Sequence, residues 1–376
     1  MESHSGRPTL GIYGPKLPER SGVANYIQSL MQHVDSYQAV HVSNTDWEDP
    51  RAFDHVLYHV GASRLHHGVF KAMRIRPGPA IVHEHNILSY FYEAWEALEA
   101  HERGEFLEFI GHGAGRVFTR LDEIWNWLDA IPDCDRYCAE VGVERLFLSN
   151  TSVAFVHSSC LASRLRKSAP TIAVHTIPLM SPRLDVAHGQ AMRRELGLSP
   201  DDFVFGVFGF IGQYKRVESI LEAWARWTDR PVRARLLIVG QPQYELGIPA
   251  LPGLMTHGYV ESHDRFNAML AATDCAIQLR YPSLGETSGI ASTCLANRLP
   301  LITSKTAFTE ELTGHAQVSC VEPGPNEVGQ LLDAMAAVSS TASRPRLEYD
   351  PSYEPQRCAR RIIELALLPS CSAGRE

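Results

Sequence analysis

Residues 203–224, FVFGVFGFIGQYKRVESILEAW, decide the fold. The first seven form an apolar, Phe- and Val-rich run short enough for a buried strand. Gly209 and Gly212 then punctuate the chain, and Val217, Ile220, Leu221 and Trp224 recur at helical spacing. Strand, glycine turn and amphipathic helix in direct succession is the unit from which parallel sheets are built. Runs of the same kind lie on both sides. Upstream they are TLGIYG (9–14), AVHVSN (39–44), HVLYHV (55–60), AIVHEH (80–85), VAFVHSS (153–159) and IAVHTIP (172–178). Downstream they are ARLLIVG (234–240), DCAIQLR (274–280), LPLITS (299–304) and AQVSCVE (316–322). Helical stretches usually separate them, so the strands are expected to be parallel and covered on both faces.

The rhythm occurs twice and is interrupted near 178–190 (PLMSPRLDVAHGQ), which reads as a linker. The expectation is an α/β protein of two Rossmann-like parallel-sheet domains facing across a cleft, residues 1–180 and 181–350, followed by a segment 351–376 that turns helical at 354–368. The region 87–150 departs from the pattern. It reads as a helical insertion rich in aromatics, among them Tyr90, Phe91, Tyr92, Trp95, Phe106, Phe109, Trp125 and Trp127. These rings either pack the helices onto the domain or line an acceptor pocket.

The 376 residues suffice for two cores. Apolar residues make up 44% and charged residues 21%, an ordinary globular balance. A net charge of -8 argues against general affinity for nucleic acid or anionic lipid, because both require cationic surface. No apolar run is long enough to span a bilayer, and the N-terminus MESHSGRPTL lacks a signal core, so a cytoplasmic location is expected. The eight Cys are scattered, including Cys134, Cys138 and Cys371, and read as reduced thiols.

Open parallel sheets bind ligands beyond the carboxyl ends of their strands. Four strand-end segments therefore carry the candidate chemistry. In GPKLPERSGVANYI (14–27), Ser21 is a good N-cap and Gly22 lets a ligand approach free amides at a helix start, a setting that favours a diphosphate. In HEHN (83–86), His83 and His85 share a face and can hydrogen-bond a sugar hydroxyl without fixed charge; a buried structural role is the plainer alternative. In the decisive stretch itself, Lys215 and Arg216 are placed at the first turn of a helix, where cations oppose the dipole unless an anion binds. In RYPSLGETSGIASTCLANRLPLIT (280–303), Glu286 can accept hydrogen bonds from sugar hydroxyls. Ser288 and Gly289 open a helix toward an anion, or simply cap it.

Taken in order and spacing, these segments resemble retaining glycosyltransferases of family 4 (glycosyl transferases group 1), which have the GT-B fold. The resemblance covers nearly the whole chain and is strongest in 200–315. It implies a metal-independent transfer of a sugar from a UDP- or GDP-linked donor, with no cofactor, to a small-molecule or glycan acceptor. It assigns Gly22 to the donor phosphates, His85 (or His83) to the transferred sugar, Lys215 to the diphosphate and Glu286 to the donor sugar. Tyr259 and Val260, in HGYV (257–260), fall where the family offers backbone groups to the base. It also implies that the last helix returns to the first domain. Two positions depart from the family. Phe210 stands where an Arg usually follows the Gly, a role Arg216 could take over. Cys294 stands where a second Glu holds the ribose, and a thiol is a poor acceptor.

Three readings follow: a hexosyltransferase, an inactive GT-B partner subunit, and a nucleotide-sugar epimerase, for which no convincing acid/base set can be named. Asp133-Cys134-Asp135 spells a metal-binding Asp-x-Asp, but it follows a Trp-rich helical stretch rather than a strand. The stretch 91–109 (FYEAWEALEAHERGEFLEF) reads as an acidic helix, unlike the basic surface helices of lipid-binding enzymes, so a soluble acceptor is expected.

Overall fold

The computed structural model describes residues 6–130, 145–340 and 347–367, apart from 87, 150, 152, 284 and 308. The chain divides into two compact units. Unit 1 comprises 1–180, 284–287 and 355–376; unit 2 comprises 181–283 and 288–354.

Unit 1 is built on a six-stranded parallel sheet: β1 (Thr9–Tyr13), β2 (Gln38–Val42), β3 (His55–Val60), β4 (Ala80–Val82), β5 (Val153–Val156) and β6 (Ala173–Thr176). Their order is β2-β1-β3-β4-β5-β6, so the direction of winding reverses between β1 and β3. Alternate residues feed opposite faces. Leu10, Ile12, Leu57, Ile81 and Phe155 pack with Ile27 and Leu30 of α1 (Gly22–Met31) and with Ile362 of a C-terminal helix. The neighbouring residues Tyr13, Tyr58, Val82 and Val156 face the other way. There they meet Phe70 and Met73 of α2 (His67–Ile75) and aromatics of the helical insertion. A buried aliphatic or Phe side chain contributes about 1.5–3 kcal/mol, which is why register is tightly specified on both faces.

The described part of the insertion comprises α3 (Leu88–Ala94), α4 (Ala100–Ala114), α5 (Leu121–Asp129) and the short α6 (Arg145–Leu148). The stretch 91–109 is therefore two helices, not one. Leu98 is buried in extended conformation, and Glu99 starts α4 by exchanging capping hydrogen bonds with Glu102. Helix α7 (Ser159–Ser168) connects β5 to β6.

Unit 2 begins with α8 (Val186–Glu195), so the downstream half of the expected linker is helical, started by the Asp185 cap. It continues with β7 (Phe203–Phe208), α9 (Val217–Arg226), β8 (Ala234–Val239), β9 (Leu254–His257), α10 (His263–Ala271), β10 (Cys275–Gln278), α11 (Gly289–Ala296), β11 (Leu301–Ser304), β12 (Val318–Val321) and α12 (Glu327–Ser339). The sheet order β12-β11-β10-β7-β8-β9 is that of a dinucleotide-type Rossmann unit, with its switch point between β7 and β10. Helices α9 and α12 cover one face through Ile220, Trp224 and Leu331. Helices α8, α10 and α11 cover the other through Met192, Leu270 and Cys294. Strand β9 was not foreseen, because its residues are only half-buried at the sheet edge and give no apolar run.

The last helix, α13 (Pro355–Leu367), belongs to unit 1, where Cys358, Ala359 and Ile362 lie against the α1 face of the sheet. Among the described residues no helix is long and apolar enough to cross a membrane.

Candidate functional site

In unit 2 the strand-end loops are tied into one platform. After β7, Gly209 takes a φ of 95°, and Ile211 bridges Pro242 in the loop after β8. Gly240 has a φ of 149°, and a Cβ there would lie 1.9 Å from the Gly209 carbonyl oxygen, so only glycine lets these two turns cross. The loop after β10 joins them: Tyr281 N–H donates to the Tyr214 carbonyl at 2.8 Å, and the Arg280 guanidinium sits 4.8 Å over the Tyr214 ring.

Lys215 lies within this platform and is 5% exposed. Its Nζ donates to the Phe208 carbonyl at 2.6 Å and would lie 3.1 Å from a Cβ at Gly209. An ammonium is thus held beside the end of β7, against bare glycine backbone, at the switch point. Arg216 is placed differently. The first-turn placement read from sequence is corrected: α9 starts at Val217, and Arg216 is its N-cap with a left-handed φ of 53°. Its guanidinium forms an ion pair with buried Glu327 of α12, Nε to Oε1 and Nη2 to Oε1 both at 3.0 Å. A carboxylate of the same unit therefore offsets the cation at the helix start, and no bound anion is needed for that.

Across the switch point, Ser288 caps α11 by accepting from Ala291 N–H at 3.3 Å, and Gly289 is its first residue. Glu286, half-buried, belongs to the segment 284–287 that groups with unit 1. Tyr259, just past β9, stacks on Phe210, with ring centroids 5.9 Å apart and planes at 21°. Phe210 thus has an aromatic neighbour in Tyr259. Val260 packs its side chain onto the apolar cluster of α8 and α10. Cys294 is fully buried in that cluster and its thiol pKa is pushed up by burial, so it supplies no acceptor.

In unit 1, Ser21 caps α1 by accepting from Val23 N–H, and a Cβ on exposed Gly22 would meet nothing within 4 Å. The HEHN segment is pinned. His83 N–H donates to the Val60 carbonyl, Glu84 accepts from Ala62 N–H at 2.6 Å, and Asn86 accepts from Leu88 N–H at 2.8 Å. His85 sits between these anchors and is 2% exposed.

Sequence reasoning missed a ring cluster here. His59, His83 and His157 stand on one face at the ends of β3, β4 and β5, and Tyr26 of α1 contacts all three, with centroids 5.7, 5.0 and 5.1 Å away. His59 Nδ1 and His83 Nε2 share a hydrogen bond of 3.0 Å, and His157 Nδ1 lies 3.1 Å from the Ile177 carbonyl. Burial holds all three imidazoles neutral, His157 and nearby His66 with pKa lowered to about 4 and His59 and His83 lower than the ordinary value. The signal was in the sequence: HVLYHV, AIVHEH and VAFVHSS each carry a His at the strand's end. Among the described residues no group of three or more His, Cys, Asp or Glu is placed to hold a metal ion. Asp133-Cys134-Asp135 lies outside the described residues.

No family model and no curated protein matches the sequence. Solved structures do. HepE of Anabaena, in complex with UDP-glucose, matches with a TM-score of 0.55 and 12% identity over 96% of this chain and 95% of that one. WaaG, a glycosyltransferase involved in lipopolysaccharide biosynthesis, matches with a TM-score of 0.52 and 11% identity over 94% and 95%. Sucrose-phosphate synthase from Thermosynechococcus elongatus matches with a TM-score of 0.52 and 14% identity over 96% and 95%. At such identities the shared property is the fold, and this chain has the two-unit, Rossmann-like GT-B architecture.

Proposed function

We propose that the protein is a retaining, metal-independent glycosyltransferase that moves a sugar from a nucleotide diphosphate donor, UDP- or GDP-linked, to a hydroxyl of a soluble acceptor in the cytoplasm. The observation that carries this reading is Lys215. A buried ammonium at the Rossmann switch point, against glycine backbone, is suited to a diphosphate leaving group. HepE, which has the same fold, was solved with UDP-glucose, and this favours a uridine donor. The departing phosphate would take the acceptor proton on the face it leaves, so configuration is kept. Glu286 and His85 would hydrogen-bond the sugar, and Gly22, Ser288 and Gly289 would offer backbone amides to phosphate. Tyr259 and Val260 would offer backbone groups to the base.

A thermal-shift panel of UDP-, GDP-, ADP- and dTDP-sugars tests this, since a specific ligand at a hundredfold its Kd stabilises by about 2.7 kcal/mol. Stabilisation by one nucleotide class is expected; none by any would sink the reading. Gly22→Ala gives a sharper check. The open space at Gly22 predicts an unchanged or slightly higher melting point, while donor affinity falls about tenfold because backbone approach is blocked.

An inactive GT-B partner subunit is the second reading. It is favoured by Cys294 being sealed in the core and by Arg216 being engaged with Glu327. Nucleotide-sugar binding without turnover or hydrolysis, together with stoichiometric co-purification with another transferase, would select it.

A further inference from the structure

Among the described residues two besides glycine take a left-handed backbone, Arg216 at φ 53° and Arg298 at φ 52°. A Cβ makes that conformation unfavourable, so it lasts only where the surroundings enforce it. Arg298 lies just past Asn297, the C-cap of α11, where helices commonly turn left-handed. Arg216 opens a helix instead, and a residue in that place is normally extended. Ser21, Ser158, Asp185, Ser262 and Ser288, the N-caps of α1, α7, α8, α10 and α11, are all extended, and each accepts an amide hydrogen bond through its side chain. Arg216 makes no such bond, so capping does not account for its conformation. Glu327 supplies the constraint. It is 1% exposed, and both of its carboxylate oxygens accept from Arg216 Nε, at 3.0 and 3.2 Å. It is the first residue of α12, where the helix dipole favours its charge, and its N–H donates to the Gly324 carbonyl at 3.0 Å. An anchored carboxylate on the neighbouring helix thus holds the Arg216 side chain.

Arg216 is also the joint between two hydrogen-bonded turns. On one side, the Lys215 and Arg216 N–H groups donate to the Gly212 and Gln213 carbonyls, both at 2.9 Å. On the other, the Arg216 carbonyl accepts from Ile220 N–H at 3.2 Å, and the adjoining Val217 is fully buried. The backbone angle at Arg216 therefore sets how the turn carrying Lys215 leaves the packed helix, and with it where the ammonium lies beside the end of β7. We propose that Glu327 is a positioning residue for Lys215: acting through Arg216, it keeps that turn in the conformation that brings the ammonium to the strand end. The ion pair then serves the site, and Arg216 is a strut between helix and turn instead of a phosphate ligand. The role of Lys215 itself rests on the transferase reading; the control of its turn by Glu327 does not.

The test uses the full chain. Glu327→Gln keeps the side chain's shape and removes its charge. Arg216→Gly removes the need for a constraint, because glycine adopts a positive φ freely. Amide exchange at Lys215 and Arg216 is measured without ligand, and kcat and donor KM with the nucleotide-sugar found by thermal shift. Glu327→Gln should speed exchange at those two amides about tenfold relative to the rest of α9, and lower kcat about tenfold with KM within about twofold. In a Lys215→Met background the same substitution should leave kcat unchanged, since its effect passes through the ammonium; a merely structural role would give additive losses. The double variant Arg216→Gly/Glu327→Gln should recover kcat to within about threefold of wild type. That variant leaves no unpaired buried charge, so it decides alone if Glu327→Gln is too unstable to assay. Unchanged exchange, additive losses with Lys215→Met, or no recovery with glycine at 216 each overturns the proposal, the last by making Arg216 a ligand. Faster exchange at the turn in a chain that responds to no nucleotide-sugar keeps the control by Glu327 and removes the transferase reading instead.

Discussion

Lys215→Met is expected to lower the rate of sugar transfer about a hundred- to a thousandfold while the protein stays folded. Met matches the length and apolar body of the lysine side chain, so packing at this buried position is largely kept. The folded state loses the hydrogen bond to the Phe208 carbonyl, worth about 1 kcal/mol. The transition state loses more. As the glycosidic bond breaks, charge builds on the diphosphate, and by analogy with loss of one oxyanion donor the barrier rises by about 3 kcal/mol. Steady-state kinetics with the donor found by thermal shift, alongside a melting curve, separate the two effects. A variant that melts normally and keeps its kcat would remove Lys215 from the mechanism. Glu286→Ala should likewise abolish transfer in a folded protein, and retained activity in both variants would refute the assignment.

Acid lability of unit 1 is the second large effect. His66 and His157 have pKa values near 4 because burial disfavours the imidazolium. In the unfolded chain they titrate at about 6.5. Between those values the unfolded state binds more protons, so stability rises with pH through the window and is lost as pH falls from about 6.5 to 4. At pH 5 each costs about 2 kcal/mol, together about 4 kcal/mol, a large part of a typical domain's stability. His59 and His83 push the same way. The groups acting on them are other imidazoles, His41, His66 and His157, with no carboxylate among them to stabilise a charge. Ordinary carboxylates titrate mostly below this window, so the slope reports histidine. Denaturant midpoints measured at pH 8, 6 and 5 should fall steeply. A flat series, or a His157→Gln variant with the same slope as wild type, contradicts the cluster's role.

Sheet architecture was legible because it is written in periodicity. All eleven apolar runs became strands, the inner ones because they bury both faces, the edge strands β2, β6 and β12 with one buried residue each. Strand β9 escaped because an edge strand needs no continuous apolar run. The break at Leu98 escaped because Glu and Ala are good helix formers, and only the burial of Leu98 outweighs them. At the candidate site, sequence could name Lys215 but not its burial, and Arg216 but not its partner. Glu327 is 111 residues away, and nothing local announces the pair. The imidazole cluster was spelled across three strands yet is visible only once their parallel register is known. Phe210 looked like a defect until the stack with Tyr259 gave it a neighbour.

Helix α13 has a consequence for biosynthesis. One wall of the first sheet is finished by Ile362 and its neighbours, so the ribosome must pass residue 362 before that wall can close. The later-made unit can therefore mature before the earlier-made one, reversing the usual vectorial order. A nascent chain stalled after residue 180 would present a greasy flank, and chaperones would be drawn to that flank until α13 is made.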